Sequence, residues 1–284
     1  MLKVILPDGT ARQYSSPVSC ADVASDIGPG LAKAAVAAEL EGKIVGLPTV
    51  LPADGEVALR LLTKKDSESL DVMRHSTAHI MARAVMRLFN GVQLAFGPTI
   101  DDGFYYDFEL DHVLREEDFD AIESEMAKII ALDEPFERLV EPRAEALQIC
   151  QDMHQPLKVE HIQSGLATEE TLSFYRQGEF LDLCRGPHVR SAKVIGRAFK
   201  LLSIAGAYWK GDHKRQQLQR LYATAFWERS DLEAYLERLE EARRRDHRVL
   251  GRQLGLFEID EKVGQGLVLW KPKGAIIRQE LQDF

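Results

Sequence analysis

With 284 residues, 45% of them hydrophobic and 29% charged, the chain is long enough for two ordinary domains and has the balance of a soluble globular protein. A formal net charge of −9 excludes a molecule that is basic overall, so any nucleic-acid contact has to come from a local patch. Cys20, Cys150 and Cys184 are too sparse for a disulfide framework, and residues 1–9 hold no apolar run of signal-peptide or membrane-span length, so a cytoplasmic protein is expected. Lys3-Val4-Ile5-Leu6, the turn Pro7-Asp8-Gly9 and residues 10–14 predict a hairpin. Ser19 can cap a short helix through Asp22, Val23, Ala24 and Ile27, with Gly28-Pro29-Gly30 ending it. Strands are predicted at residues 34–39, 43–45 and 56–62. A small sheet holding one helix is the economical fold for residues 1–64, and Thr63-Lys64-Lys65-Asp66 reads as a polar linker. This segment offers no catalytic constellation and is expected to be an accessory or docking module.

Ser67 or Ser69 caps the next predicted helix, which runs to about Phe89. Leu70, Met73, Ile80, Met81, Ala84, Val85 and Leu88 form its apolar stripe, while His75 and His79, one turn apart, share a different face with Ala82 and Met86. Two histidines at this spacing can hold a metal or reach a substrate, although the pattern alone is weak. A hairpin with an Asp-Gly turn follows, in which Phe104 and Tyr106 face one way and Tyr105 the other. An amphipathic helix is predicted from about 115 to 132, buried through Phe119, Ile122, Met126, Ile129 and Ile130. A shorter helix from Arg143 to about Met153 leads into Pro156-Leu157-Lys158-Val159, which reads as a strand with Lys158 alone among apolar neighbours.

The run from Glu179 to Cys184 alternates polar and apolar residues like a strand, and Gly186-Pro187 breaks it. Asp182 and Cys184 then project to one face, with His188 just beyond the turn. Together with His75 and His79 these groups support three chemistries. One is a zinc site, for which imidazole and thiolate are suitable ligands in the right number, although four protein ligands leave no open position. A second is a Cys184 nucleophile with a histidine base. The third is a metal-free hydrolytic pocket in which histidines and Lys158 position and polarise water. From Arg185 to Arg220, nine basic residues face one acid, Asp212, a local excess of +8. Arg185, Arg190, Lys200, Lys210, Lys214 and Arg215 are the candidate nucleic-acid contacts in this stretch, and Tyr208 with Trp209 could add a stacking surface.

His75-Ser76-Thr77-Ala78-His79 and the run 181–189 (Leu-Asp-Leu-Cys-Arg-Gly-Pro-His-Val) resemble the editing domain of the threonyl-tRNA synthetase family. So do the hairpin at 96–108 and the Ala207-Tyr208-Trp209-Lys210-Gly211-Asp212 run before residues 218–226. The resemblance extends in order over essentially the whole chain. It implies an α+β protein with four parts. These are a ubiquitin-like β-grasp (TGS) domain at 1–64, a two-layer α/β editing domain at 65–228, a linker helix at 229–248 and the start of a class II synthetase core at 249–284. It also implies hydrolysis of mischarged Ser-tRNA(Thr), because one missing methyl is worth only ~1–3 kcal/mol of discrimination at the synthetic site. His75, His79, Lys158, Cys184 and His188 would then line the catalytic pocket. Asp182 would take the α-amino group, with Tyr106 and Gly97 also against the substrate, and the tRNA acceptor end would be the partner. The resemblance implies no required metal for editing. If zinc is bound, His75, His79, Cys184 and His188 are its ligands.

By the same resemblance, the chain is expected to reach only into the first class II motif, without the second and third. The Zn and Mg-ATP of the synthetic site, the ligase activity and the homodimer of the family are therefore expected of a longer protein and not of this chain. Two other readings compete. A free-standing alanyl-type deacylase should lack residues 1–64 and Trp270-Lys271-Pro272-Lys273. A zinc-stabilised RNA-binding module should bind zinc and cleave nothing.

Overall fold

The computed structural model of the chain describes residues 1–15, 17–264 and 266–284. It forms two compact units, Met1–Arg229 and Ser230–Phe284. The first begins with β1 (Leu2–Ile5), β2 (Ala11–Tyr14), α1 (Cys20–Ile27), α2 (Pro29–Ala34), β3 (Ala35–Leu40), β4 (Lys43–Val45) and β5 (Gly55–Thr63). The strands order as β2-β1-β5-β3-β4, with β1 and β5 parallel and the other pairs antiparallel, which is a β-grasp sheet. Ser19 caps α1 as the sequence predicts: its hydroxyl accepts from the Asp22 main chain at 3.2 Å, and the Asp22 carboxylate accepts from Ser19 N at 2.8 Å. The expectation of one helix here is corrected. Gly28 separates two helices, and Pro29 opens α2, where its missing N–H costs nothing. Residues 63–66 are a tight turn rather than a linker, because Asp66 Oδ2 accepts from Thr63 N at 2.7 Å and from Thr63 Oγ1 at 3.0 Å.

The next segment is α3 (Ser67–Leu88), β6 (Gln93–Leu94), β7 (Thr99–Ile100), β8 (Gly103–Glu109), α4 (Phe119–Ala131), β9 (Glu137–Pro142), α5 (Arg143–Asp152), α6 (Pro156–Ser164), β10 (Thr171–Gln177), β11 (Phe180–Leu183), β12 (Phe199–Tyr208) and β13 (Gln217–Ala225). Its axis is α3. The cap position is Asp66 rather than Ser67 or Ser69, and Ser69 Oγ donates back to Asp66 O at 2.8 Å. A helix with one apolar stripe was expected, yet nearly every residue from Ser69 to Val85 is buried. Three neighbours enclose it. Val36, Ala37 and Leu62 of the β-grasp sheet, the stripe of α4, and Phe104, Leu221 and Ala223 of the sheet β12-β13-β8-β6 all share its core. Phe119, Ile122, Met126, Ile129 and Ile130 are buried as predicted, although the first turn, Glu116–Asp118, is a 3₁₀ helix. A second sheet, β11-β10-β9, packs on α5 and α6 through Phe174, Ala146 and Ile162.

The strand predicted at residues 156–159 is the first turn of α6. Pro156 fills the first helical position, and Lys158 is only 4% accessible. In the second unit, the helix predicted to reach about residue 248 is α7 (Arg229–Arg244). A break then precedes α8 (His247–Gln253), whose N-cap Asp246 accepts from Arg248 N at 2.7 Å. The rest is β14 (Phe257–Glu258) paired with β15 (Leu269–Trp270), and α9 (Pro272–Asp283). Among the described residues, no helix is long and apolar enough to cross a membrane.

Candidate active site

His75 and His79 leave α3 one turn apart and meet the strand β11 and the loop after it. His75 Nε2 lies 2.9 Å from Cys184 Sγ, and His188 Nε2 lies 3.4 Å from the same sulfur. The three imidazoles cluster: His75 stacks on His188 with ring centroids 4.5 Å apart, while His79 lies tilted to His188 at 4.2 Å and edge-on to His75 at 5.2 Å. His188 is further held between Phe136, at 4.9 Å, and Tyr175, at 4.3 Å. Its tautomer follows from Ser76. That hydroxyl donates to Val72 O at 2.7 Å, so it accepts from His188 Nδ1 at 3.2 Å and from Val189 N at 3.0 Å, leaving His188 Nε2 as an acceptor toward the thiol.

Beside this cluster sits a buried charged network. Lys158 Nζ lies 2.7 Å from Asp182 Oδ1, the Tyr106 hydroxyl donates to Asp182 Oδ2 at 2.5 Å, and His79 Nε2 lies 3.6 Å from the same oxygen. Lys158, Asp182, His79 and Tyr106 are all at most 4% exposed. Gly97 is required here because a Cβ on it would fall 2.2 Å from the Tyr106 ring. Its main chain also favours the charged form of His75, against the larger effect of burial.

Burial fixes the protonation states. It pushes the Cys184 thiol up to about 12, with the Asp182 charge adding to the effect and the Gly186 N–H opposing it. Burial likewise lowers His79 to about 3 despite the Asp182 charge, and lowers His75 and His188. Asp182 is held below the usual carboxylate range: burial would raise it, but Lys158, His79 and the Tyr106 hydroxyl outweigh that. At neutral pH the site therefore presents neutral imidazoles, a neutral thiol and one paired carboxylate. His79 Nδ1 is buried without a hydrogen-bond partner.

Two adjoining cavities of about 410 Å³ each open onto these groups. One is bounded by His75, His79, Gly97, Tyr105 and Asp182, and the other by His161, Gly165, Leu166 and Ser173. Phe96, Lys158, Leu183, Cys184 and Arg185 line both.

The structure thus brings His75, His79, Lys158, Cys184, His188, Asp182, Tyr106 and Gly97 together. It does not gather the basic stretch. Arg185 stands at the mouth, 3.5 Å from Glu169. Lys210 and Arg215 both pair with Glu160 of α6, at 2.8 and 2.6 Å, and Lys200 pairs with Glu123 of α4 at 2.9 Å. Arg190 lies beside the β-grasp sheet, and Lys214 is exposed in the β12–β13 turn. Trp209, expected as a stacking surface, is 1% exposed. It stacks on Phe96 at 5.2 Å and donates to Glu160 at 3.1 Å. Sequence reasoning missed Ser76, Phe136, Tyr175 and Phe96. Only Ser76, set inside the histidine pair, carried a signal.

The three histidines and Cys184 also make up a donor set of the zinc type. The ligand atoms of His75, His79, Cys184 and His188 all lie within 4.8 Å of one another. Zn–N and Zn–S bonds of ~2.0 and ~2.3 Å imply N···S separations of ~3.5 Å in a tetrahedron. The Cys184–His188 distance of 3.4 Å meets that, and the His75–Cys184 distance of 2.9 Å is shorter. The residues fit zinc in kind and number.

Known proteins match both parts of the first unit. Residues 2–60 match the TGS domain, and residues 172–222, which include Asp182, Cys184 and His188, match the threonyl and alanyl tRNA synthetase second additional domain. The whole chain is 55% identical over 287 residues to the threonine–tRNA ligase of Rhodopirellula baltica, covering 38% of that protein. It is 50% identical to the enzyme of Pelobacter propionicus and 47% identical to that of Thiobacillus denitrificans, covering 44% of each. The chain carries the TGS and second additional domains of a threonine–tRNA ligase and matches that family along its full length. It spans about two-fifths of the length of these relatives.

Proposed function

We propose that the first unit hydrolyses the ester of mischarged Ser-tRNA(Thr), releasing serine and free tRNA. The observation that carries this reading is the buried Lys158–Asp182–Tyr106 network set against neutral histidines in one cavity. A carboxylate accepts about four hydrogen bonds. Lys158 and Tyr106 occupy two of these on Asp182, with His79 Nε2 3.6 Å away, so acceptor capacity remains for the substrate's α-amino group. Water attacks the carbonyl carbon while neutral His75 takes its proton. The oxyanion that forms is stabilised by the Lys158 ammonium in a site of low dielectric. Collapse breaks the ester bond, and the departing ribose oxygen takes the proton back from His75. Cys184 is no nucleophile on this reading, since a thiol pushed up to about 12 is protonated at neutral pH. The cavity beside His161 would receive the terminal nucleoside. The longer protein, by likeness to its relatives, would attach threonine to tRNA(Thr) with Mg-ATP and its own zinc, as a homodimer.

Zinc is the second reading that an observation favours, because the four donors fit it. Held by His75, His79, Cys184 and His188, the ion would deprotonate Cys184, and its filled shell would make it structural. A zinc ion held there would occupy His75, the proposed base, so the metal-free mechanism and zinc occupancy exclude each other in one molecule. The test is loss of the ester from Ser-tRNA(Thr) by protein stripped with chelator, before and after zinc is restored. Cleavage by the stripped protein is expected, with no gain when zinc is restored. Cleavage only after zinc is restored would overturn the metal-free mechanism, and no cleavage in either state would overturn hydrolysis itself.

A further inference from the structure

A cleft of about 510 Å³ lies away from the site, where the β-grasp sheet meets the loop beyond His188. Lys33 at the end of α2, Lys64 and Lys65 in the turn before α3, and Arg190 and Lys193 of the loop line it. A hollow of about 580 Å³ adjoins it and shares Lys33 and Arg190. Elsewhere in this acidic chain cations are commonly paired. Lys3 meets Glu56, Arg60 meets Glu39, Lys200 meets Glu123 and Arg220 meets Asp107. None of the five cleft cations forms an ion pair among the described residues. Lys64 lies 5.0 Å over the Trp227 ring, a contact that orients its charge without neutralising it. Asp133 and Asp66 are nearby acids. Asp133 Oδ1 accepts from Ser191 Oγ at 2.7 Å and from Lys193 N at 3.2 Å, and Asp66 pairs with Arg60 at 3.4 Å.

Five positive charges from three separate segments, against Asp133 and Asp66, create a potential that a single monoanion leaves mostly uncompensated. Ammonium groups are point-charge partners for phosphate and carry several donors each. We propose that this cleft binds a run of two or more linked phosphates, from the backbone of an RNA strand or from a free oligophosphate.

The test titrates the whole chain with inorganic tripolyphosphate and, separately, with a single-stranded RNA dodecamer, at two salt concentrations. Neither probe carries an aminoacyl ester, so the result is independent of the hydrolysis proposed above. Lys33→Ala/Lys64→Ala/Lys65→Ala removes three exposed charges outside the catalytic pocket. If loss of the Trp227 contact unfolds that variant, Lys33→Ala/Lys65→Ala replaces it. At least one probe should bind the wild type and bind the triple variant at least tenfold more weakly. For RNA, the log–log salt slope should also fall by ~2, at ~0.7 per phosphate neutralised. Binding of RNA alone assigns the phosphates to a strand, and binding of tripolyphosphate alone assigns them to a free ligand. The proposal is overturned if neither probe binds, if the variant binds as well as the wild type, or if a polyglutamate peptide of equal charge binds as tightly.

Discussion

Lys158 and Asp182 show what single residues do in this pocket. Each is 4% exposed, and each neutralises the other at 2.7 Å. Breaking a buried pair from one side leaves an uncompensated charge and costs about 3–5 kcal/mol. Lys158→Met should therefore lower stability to urea by that amount and also slow deacylation at least ~10²-fold through loss of oxyanion stabilisation. Lys158→Met/Asp182→Asn should recover stability but not activity. Equal urea midpoints for wild type and Lys158→Met would contradict the pair's buried role. The four-residue spacings of His75/His79 and Cys184/His188 were legible in the sequence because they sit on a helix and beside a strand whose periods are plain. Lys158 was legible as an oddity but was assigned to the wrong element. Four residues, Pro156 to Val159, carry too little periodicity to distinguish a strand from the first turn of a helix, and Pro156 suits the latter.

At the scale of elements, the register between α3 and β11 decides whether the site forms at all. His75, His79, Arg83 and Arg87 recur at one-turn intervals along α3. The first two meet Cys184 and Asp182, and the last two grip Glu179, just before β11. Arg83, 1% exposed, also reaches Glu134 at 2.5 Å. Gly178 leaves room for this clamp, since its φ is +58° and a Cβ there would lie 2.4 Å from Arg83 Nη2. The Arg83 bonds hold the Glu179 carboxyl down at about 2, with burial opposing and Arg87 adding. A carboxyl lowered on folding stabilises the native state above its unfolded value of ~4.3, and that contribution is lost as pH falls through about 2. Glu179→Gln should thus be less stable than wild type at pH 7, with the gap in urea midpoint closing between pH ~4.5 and ~2. A constant gap across that window would contradict the clamp. The sequence reading placed α3, α4 and β11 correctly from periodicity, but it gave α3 one apolar stripe. Burial of its polar face depends on β11 and the β-grasp sheet, which periodicity within the helix does not report.

Across the whole molecule, the local excess of +8 did not become one surface. Its charges are taken up by acids distant in sequence, with Glu123 meeting Lys200, Glu160 meeting Lys210 and Arg215, and Asp107 meeting Arg220. Linear charge counts cannot anticipate such pairing. Arg190 and Lys193 of the basic stretch instead meet Lys33, Lys64 and Lys65, from two other segments, around the cleft beside α2. The fold was more legible than the charge pattern, because turns such as Pro7-Asp8-Gly9 and the alternation of the strands are local signals. The two-helix start of the β-grasp and the break before α8 were missed, since a glycine followed by a proline, or a single capping aspartate, marks a stop and a start equally well. The proposed hydrolysis requires the His75–Lys158–Asp182 pocket to cleave the ester of serine and spare that of threonine. The direct measurement is the rate of ester loss from Ser-tRNA(Thr) and from Thr-tRNA(Thr) with the same protein preparation. Loss of the seryl ester at least about tenfold faster is predicted, one methyl being worth ~1–3 kcal/mol, and equal rates for the two esters would contradict it.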